Sequence, residues 1–229
     1  MSPDGTWILY TPLPSDSNLS SQLELMRVPI KGGPPQLVLT AAAATYDGVR
    51  CAKAPATLCL IAERTIDRKQ LIFTTVDPLK GRREELGRSD IDPDAASTYL
   101  WDFSPDGTRV AILKYAEGRI HILPLSRNVS QEIVVKGWSN LQSVDWAWDG
   151  KGLFVSSVTE PRSVLLNVDL KGQVHLLWEQ KGSIAASGGP FDQPLGGPSA
   201  PTALPSPDGR HLALYCWSLD ANIWMMENF

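Results

Sequence analysis

Ser104-Pro105-Asp106-Gly107-Thr108-Arg109-Val110-Ala111-Ile112-Leu113 is the stretch from which the rest of the chain is read. Its first four residues are turn chemistry: Pro pre-sets φ, Asp bonds nearby backbone N–H groups, and Gly supplies positive φ. Its last four are apolar at consecutive positions, which describes a strand buried on both faces. The same tetrapeptide stands at Ser2–Gly5 and Ser206–Gly209, with a degenerate copy at Ala147-Trp148-Asp149-Gly150. One match at a given position has a chance on the order of 10⁻⁵ from average residue usage. The chain is therefore internally duplicated, and Asp4, Gly5, Asp106, Gly107, Asp149, Gly150, Asp208 and Gly209 are assigned as structural turn residues.

Working outward, each turn leads into the same apolar segment: Ile8 to Tyr10, Val110 to Ile112, Leu153 to Val155, Leu212 to Leu214. Ala52–Ile61 fits this template without its Asp-Gly, so units start near 2, 52, 104, 147 and 206, at spacings of 50, 52, 43 and 59. These match or slightly exceed the roughly 40–50 residues of a propeller blade. A second strand alternates around Leu23/Leu25, Leu71/Phe73, Ile120/Ile122, Val164/Leu166 and Ile223/Met225. A third is expected at Leu37–Leu39, Glu84–Leu86, Ile133–Val135 and Val174–Trp178, and one more precedes the turn at Leu100–Phe103 and Val144–Trp146. No helical stripe offers to cover these sheets, so they must cover one another. The expected fold is an all-β propeller of about five four-stranded antiparallel blade units. The first unit lacks its innermost strand and the last its outermost, about eighteen strands in all. Residues 182–205, rich in Gly, Pro, Ser and Ala, read as an insertion loop.

Composition narrows function by exclusion. The chain has 229 residues, 43% apolar and 20% charged, and 21 basic against 25 acidic groups give a net charge of −4. That balance, with no basic stripe, argues against nucleic-acid binding. No apolar run is long enough to insert into a membrane, and no signal peptide opens the chain. Nothing decides between a periplasmic and a cytoplasmic location. Cys51, Cys59 and Cys216 are odd in number and form no CxxC, which argues against a disulfide framework and against zinc.

Ser-Pro-Asp-Gly-x-x-apolar-Ala-apolar, with a strand such as Asn222-Ile223-Trp224-Met225, resembles the PD40 (TolB-like, WD40-like) β-propeller repeat. The ending Asn222–Phe229 is similar to the C-termini of large bacterial proteins in which such a propeller follows a winged-helix or kinase domain. The resemblance implies the fold and, with the strand count, the C-terminal part of a larger propeller. It does not imply one activity, because propellers host many.

No HExxH, GxSxG, Walker loop or GxGxxG is present, so no catalytic residue, cofactor or metal ligand is assigned. Asp102 and Asp145 share one repeat position on innermost strands, where a glycosidase would place its carboxylates. The matching positions hold Arg50 and Leu204, so there is no acidic ring; these aspartates are expected to bond backbone amides beside the channel. Asp90-Ile91-Asp92-Pro93-Asp94 alternates like a calcium loop but lacks its central Gly and closing Glu. Loops joining the second and third strands open on one face with the blade connectors. That face carries Arg64, Asp67, Arg68, Glu117, Arg119, Glu160, Arg162 and Trp217, a mixed-charge set suited to a protein or peptide partner. The expected function is a non-catalytic protein-interaction or ligand-sensing module. The alternative is a propeller hydrolase (a glycosidase) or the accessory propeller of a peptidase. Open edges at both ends motivate a homodimer.

Overall fold

The computed structural model describes residues 1–12, 22–42, 46–94, 98–126, 130–159, 162–181, 202–206 and 209–215, and none of them is helical. They form seventeen strands. A three-stranded sheet holds β1 (Trp7–Tyr10), β2 (Gln22–Pro29) and β3 (Gln36–Ala42). The second sheet is β4 (Tyr46–Cys51), β5 (Cys59–Arg64), β6 (Gln70–Asp77) and β7 (Gly81–Asp90). The third is β8 (Tyr99–Phe103), β9 (Arg109–Lys114), β10 (Arg119–Pro124) and β11 (Gln131–Val134). The fourth is β12 (Leu141–Trp146), β13 (Gly152–Thr159), β14 (Arg162–Asp169) and β15 (Val174–Lys181). A two-stranded sheet of β16 (Thr202–Pro205) and β17 (Leu212–Tyr215) follows. Every pairing is antiparallel between consecutive strands, so each sheet is a meander. The expected strand around Ile223/Met225, the stretch 182–201 and Asp208 lie outside the described residues.

Ser104–Gly107 joins β8, the innermost strand of its sheet, to β9, and Ser2–Gly5 leads into β1. At the central copy Ser104 Oγ donates to Asp106 Oδ1 (2.6 Å) and accepts from Arg109 N (2.9 Å), while Gly107 N donates to Ser104 O (2.9 Å). The first copy repeats all three bonds with Ser2, Asp4, Gly5 and Trp7. In the degenerate copy Gly150 N still donates to Ala147 O, and Asp149 Oδ1 accepts from Lys151 N. A hydroxyl and a carboxylate thus replace water on the turn's backbone, which is why the motif recurs.

The sheets stack face to face, and the core lies in the seams between them. β9 and β5 each bury four consecutive residues, one side in each flanking seam. Ile120, Ile122 and Val135 meet Trp146, Val155 and Leu166 between the third and fourth sheets. Phe73 meets Trp101 edge-on at 5.4 Å between the second and third. Truncating a large side chain in either seam costs roughly 3–5 kcal/mol. The seam between the first and second sheets is thin: four buried apolar residues cluster there, against twelve and fourteen in the others, among the described residues.

One expectation is corrected. Cys51 and Cys59, opposed across β4 and β5, form a disulfide. Their spacing of eight argued for nothing by itself; only strand register places the two thiols side by side.

Candidate functional site

The residues expected on the partner-binding face and the carboxylate pair of the alternative reading lie in different places in the fold. The first is the end of the sheets where β5 turns into β6, β9 into β10 and β13 into β14. In the β5–β6 turn, Asp67 Oδ1 accepts from Thr65 Oγ1 (2.6 Å) and Lys69 N (3.2 Å), which holds the Asp67 carboxyl below the usual range. Arg68 sits at φ 57°, and Ile66 at the tip is fully exposed. The connector into the third sheet is bonded to this turn by Ile91 N to Lys69 O (2.8 Å). Within the connector Asp92 N donates to Tyr99 OH (2.7 Å), and Arg64 lies over the Tyr99 ring at 5.7 Å.

The same arrangement is repeated one sheet further. Ala116 N donates to Leu141 O (2.9 Å) and Leu141 N to Glu117 O (3.1 Å), so the β9–β10 turn is bonded to the start of the fourth sheet. Lys114 Nζ lies between Asp92 (3.0 Å) and Glu117 (3.3 Å), and these two carboxylates raise its pKa, Asp92 the more. Arg162 stands 5.9 Å over the Trp138 ring and 3.8 Å from Glu179. Arg119 is paired to Glu132 at 3.4 Å on the outer strand. Arg64, Asp67, Arg68, Glu117, Arg119 and Arg162 are thus at one end of the sheets; Glu160 and Trp217 lie outside the described residues. Lys114 and Trp138 join this face without having been expected there, and Tyr99 is buried in the core beneath it. A signal was available for Lys114, which ends β9 three residues before Glu117, but not for Trp138, which lies in a connector.

The second group lines the innermost strands, near the opposite end. Asp102 Oδ2 accepts the Trp146 backbone N–H (2.7 Å), and Trp146 Nε1 donates to Asp102 O (3.2 Å), so β8 and β12 are joined by one residue pair. Arg50 Nε is 3.8 Å from Asp102 Oδ1, with its guanidinium 5.7 Å from the Trp101 ring. Burial raises the Asp102 pKa, against the Trp146 N–H and the Arg50 and Lys53 charges that lower it. Asp145 is pushed up to about 7, first by burial and then by the Asp102 charge, with Arg50 opposing. Lys53, at the repeat position of the motif's Pro, has a buried Nζ with no hydrogen-bond partner among the described residues, and burial lowers its pKa. Leu204, the fourth equivalent of Arg50, Asp102 and Asp145, is 59% exposed.

This inner-strand set can hold one proton near neutrality on Asp145, and it locks two inner strands through Asp102. The Asp90–Asp94 carboxylates do not converge: Asp90 accepts from Gln70 Nε2, and Asp92 from Lys114 and Asp94 N. Among the described residues no group of three or more His, Cys, Asp or Glu could hold a metal ion.

No protein-family model matches the sequence, and no curated protein matches it. Solved structures do. TolB from Acinetobacter baumannii matches at 17% identity and a TM-score of 0.59, over 93% of this chain and 47% of that one. A putative 6-phosphogluconolactonase from Bacteroides uniformis matches at 14% and 0.53, over 92% and 61%. A puromycin hydrolase matches at 15% and 0.54, over 92% and 32%. The chain spans less than two thirds of each of these proteins. At such identities the likeness is one of fold alone, and that fold is the β-propeller.

Proposed function

We propose that this chain is a non-catalytic interaction module of the PD40 type, part of a larger propeller, that binds a protein or peptide across the β5–β6, β9–β10 and β13–β14 loop face. One observation carries the reading. The β9–β10 loop is bonded to the start of the fourth sheet, and the β5–β6 turn to the connector that follows β7, by main-chain hydrogen bonds, so this part of the mixed-charge surface is preorganised. Arginine and Trp138 supply side chains of the kind that dominate interfaces, and Ile66 supplies an exposed apolar tip. That the chain spans only part of each similar structure supports the larger propeller.

The test compares proteins captured from the native host by the wild-type chain and by an Arg68→Glu, Arg162→Glu variant, quantified by mass spectrometry. A partner lost by the double variant, and kept by a variant on the opposite end such as Lys151→Glu, is the expected outcome. Equal capture by all three chains rejects the loop face. A second reading, a glycoside hydrolase, is favoured by the Asp145 pKa beside Asp102. Turnover of a glycoside panel that disappears in Asp102→Asn and Asp145→Asn would replace the first reading with the second.

A further inference from the structure

At the motif position, four of the five units close their turn with a side chain. Ser2 bonds to Asp4, and Ser104 to Asp106, hydroxyl to carboxylate at 2.6 Å in each. Asp149 Oδ1 accepts from Lys151 N (3.0 Å), and Ser206 Oγ accepts from His211 N (3.0 Å). The second unit has Ala52 and Ala54 where the motif has Ser and Asp, so neither side chain can do this. Its turn is also longer. Ala52 N donates to Leu58 O where Ser104 N donates to Arg109 O, so positions 52–58 stand against 104–109, one residue more. What closes this turn instead is the Cys51–Cys59 disulfide, which joins the residues on either side of that bond.

The segment under the link is tied into its surroundings. Lys53 N donates to Pro105 O (3.0 Å), and the third sheet's turn at Gly107 packs against Ala52 and Ala56. Cys59 is one of the four buried apolar residues of the thin first seam, with Cys51 packed against them. Arg50, directly before the link, stands 3.8 Å from Asp102 Oδ1, and Lys53, inside the link, adds a second positive charge acting on Asp102. One covalent bond therefore holds together a turn, a seam and a charge cluster that the other units hold with hydrogen bonds. Cys59 is fully buried while Cys51 is partly exposed, so a thiolate approaches Cys51 and Cys59 is the group that leaves.

We infer that Cys51–Cys59 is a redox-sensitive clasp: oxidised, it holds the 52–58 turn against the third sheet with Arg50 and Lys53 at Asp102, and reduced, it lets that turn open and the two cations move away. The reductant is a dithiol. Its first thiolate bonds to the Cys51 sulfur and expels Cys59 as a thiolate; its second then displaces Cys51 and closes the reductant's own disulfide. Two electrons pass to the protein, and its two new thiols take up the two protons the dithiol gives up. The larger seams on either side of the third sheet stay closed throughout, because neither contains the link. The clasp lies away from the loop face and does not depend on it.

The test uses the full chain with Cys216→Ser, so that two thiols alone are counted. Denatured without reductant, the protein should take up no N-ethylmaleimide; after dithiothreitol acts on the native protein it should take up two. Hydrogen exchange followed by mass spectrometry should then show peptides over 52–58 exchanging roughly thirty- to a hundredfold faster when reduced, the chain entropy freed by cutting a link that spans eight residues. Peptides of β9 and β13 should change by less than about twofold, and oxidised glutathione should restore the slow pattern. Cys51→Ser with Cys59→Ser should exchange like the reduced protein in either buffer. Two free thiols before reduction, a link that resists dithiothreitol in the native protein, or unchanged exchange over 52–58 overturns the inference. So does acceleration of β9 and β13 as large as that of 52–58, since the bond would then be a staple of the whole fold and not a local clasp.

Discussion

A Cβ built on Gly172 would fall 2.4 Å from Val134 O of the preceding sheet, at φ +81°. On Gly81 it would fall 2.9 Å from Val38 O at φ +85°. In both places an outer hairpin turn rests on the outermost strand of its neighbour with no side chain between them. Gly172→Ala therefore meets rigid backbone as well as left-handed strain, and should cost about 2–4 kcal/mol in urea unfolding. Lys171→Ala, one residue away on an exposed turn, serves as the neutral control. Asp145 makes a second prediction at this scale. Its folded pKa, about 7, lies above the unfolded value of about 3.9. The folded state therefore keeps its proton while the unfolded state loses it, and stability falls as pH rises between those two values. Asp145→Asn should flatten that slope and raise stability at neutral pH by about 1–3 kcal/mol, after allowance for water reaching a half-buried carboxyl. Unfolding curves across that pH range with no difference in slope would refute it.

Among the elements, the twice-buried strands were the most legible. Val110 to Leu113 and Leu153 to Val155 are apolar without alternation, and only sheets packed on both sides satisfy that. Less legible was anything that depends on register. The Cys51–Cys59 link and the Trp146–Asp102 bond join residues whose spacing along the chain carries no signal. That Arg64, Glu117 and Arg162 lie at one end of the sheets was predictable from the template, whereas Trp138 sits in a connector, and connectors vary from unit to unit. Lys53 was hidden because it occupies a turn position normally taken by Pro. The thin first seam has a dynamic consequence. Amides of β2 and β3 should open at a free energy at least about 2 kcal/mol below those of β9 and β13, as native-state hydrogen exchange would report. Uniform protection across the sheets would contradict this.

For the molecule as a whole, the outer face of the first sheet displays Ile8 and Leu37, 44% and 54% exposed, with Tyr10 and Met26 partly so. Leu204 on the last described sheet is likewise exposed. Such faces favour a covering partner, and a second copy is the partner proposed for them. Sedimentation velocity at micromolar concentration should then show a dimer that Leu37→Glu dissociates; a monomeric wild type excludes it. The glycine contacts at the rim bear on the same question through geometry. Where outer turns rest backbone on backbone, the separation of neighbouring sheets at the rim is set by main chain alone. A bulky side chain at position 81 or 172 would therefore act as a wedge and prise two rims apart.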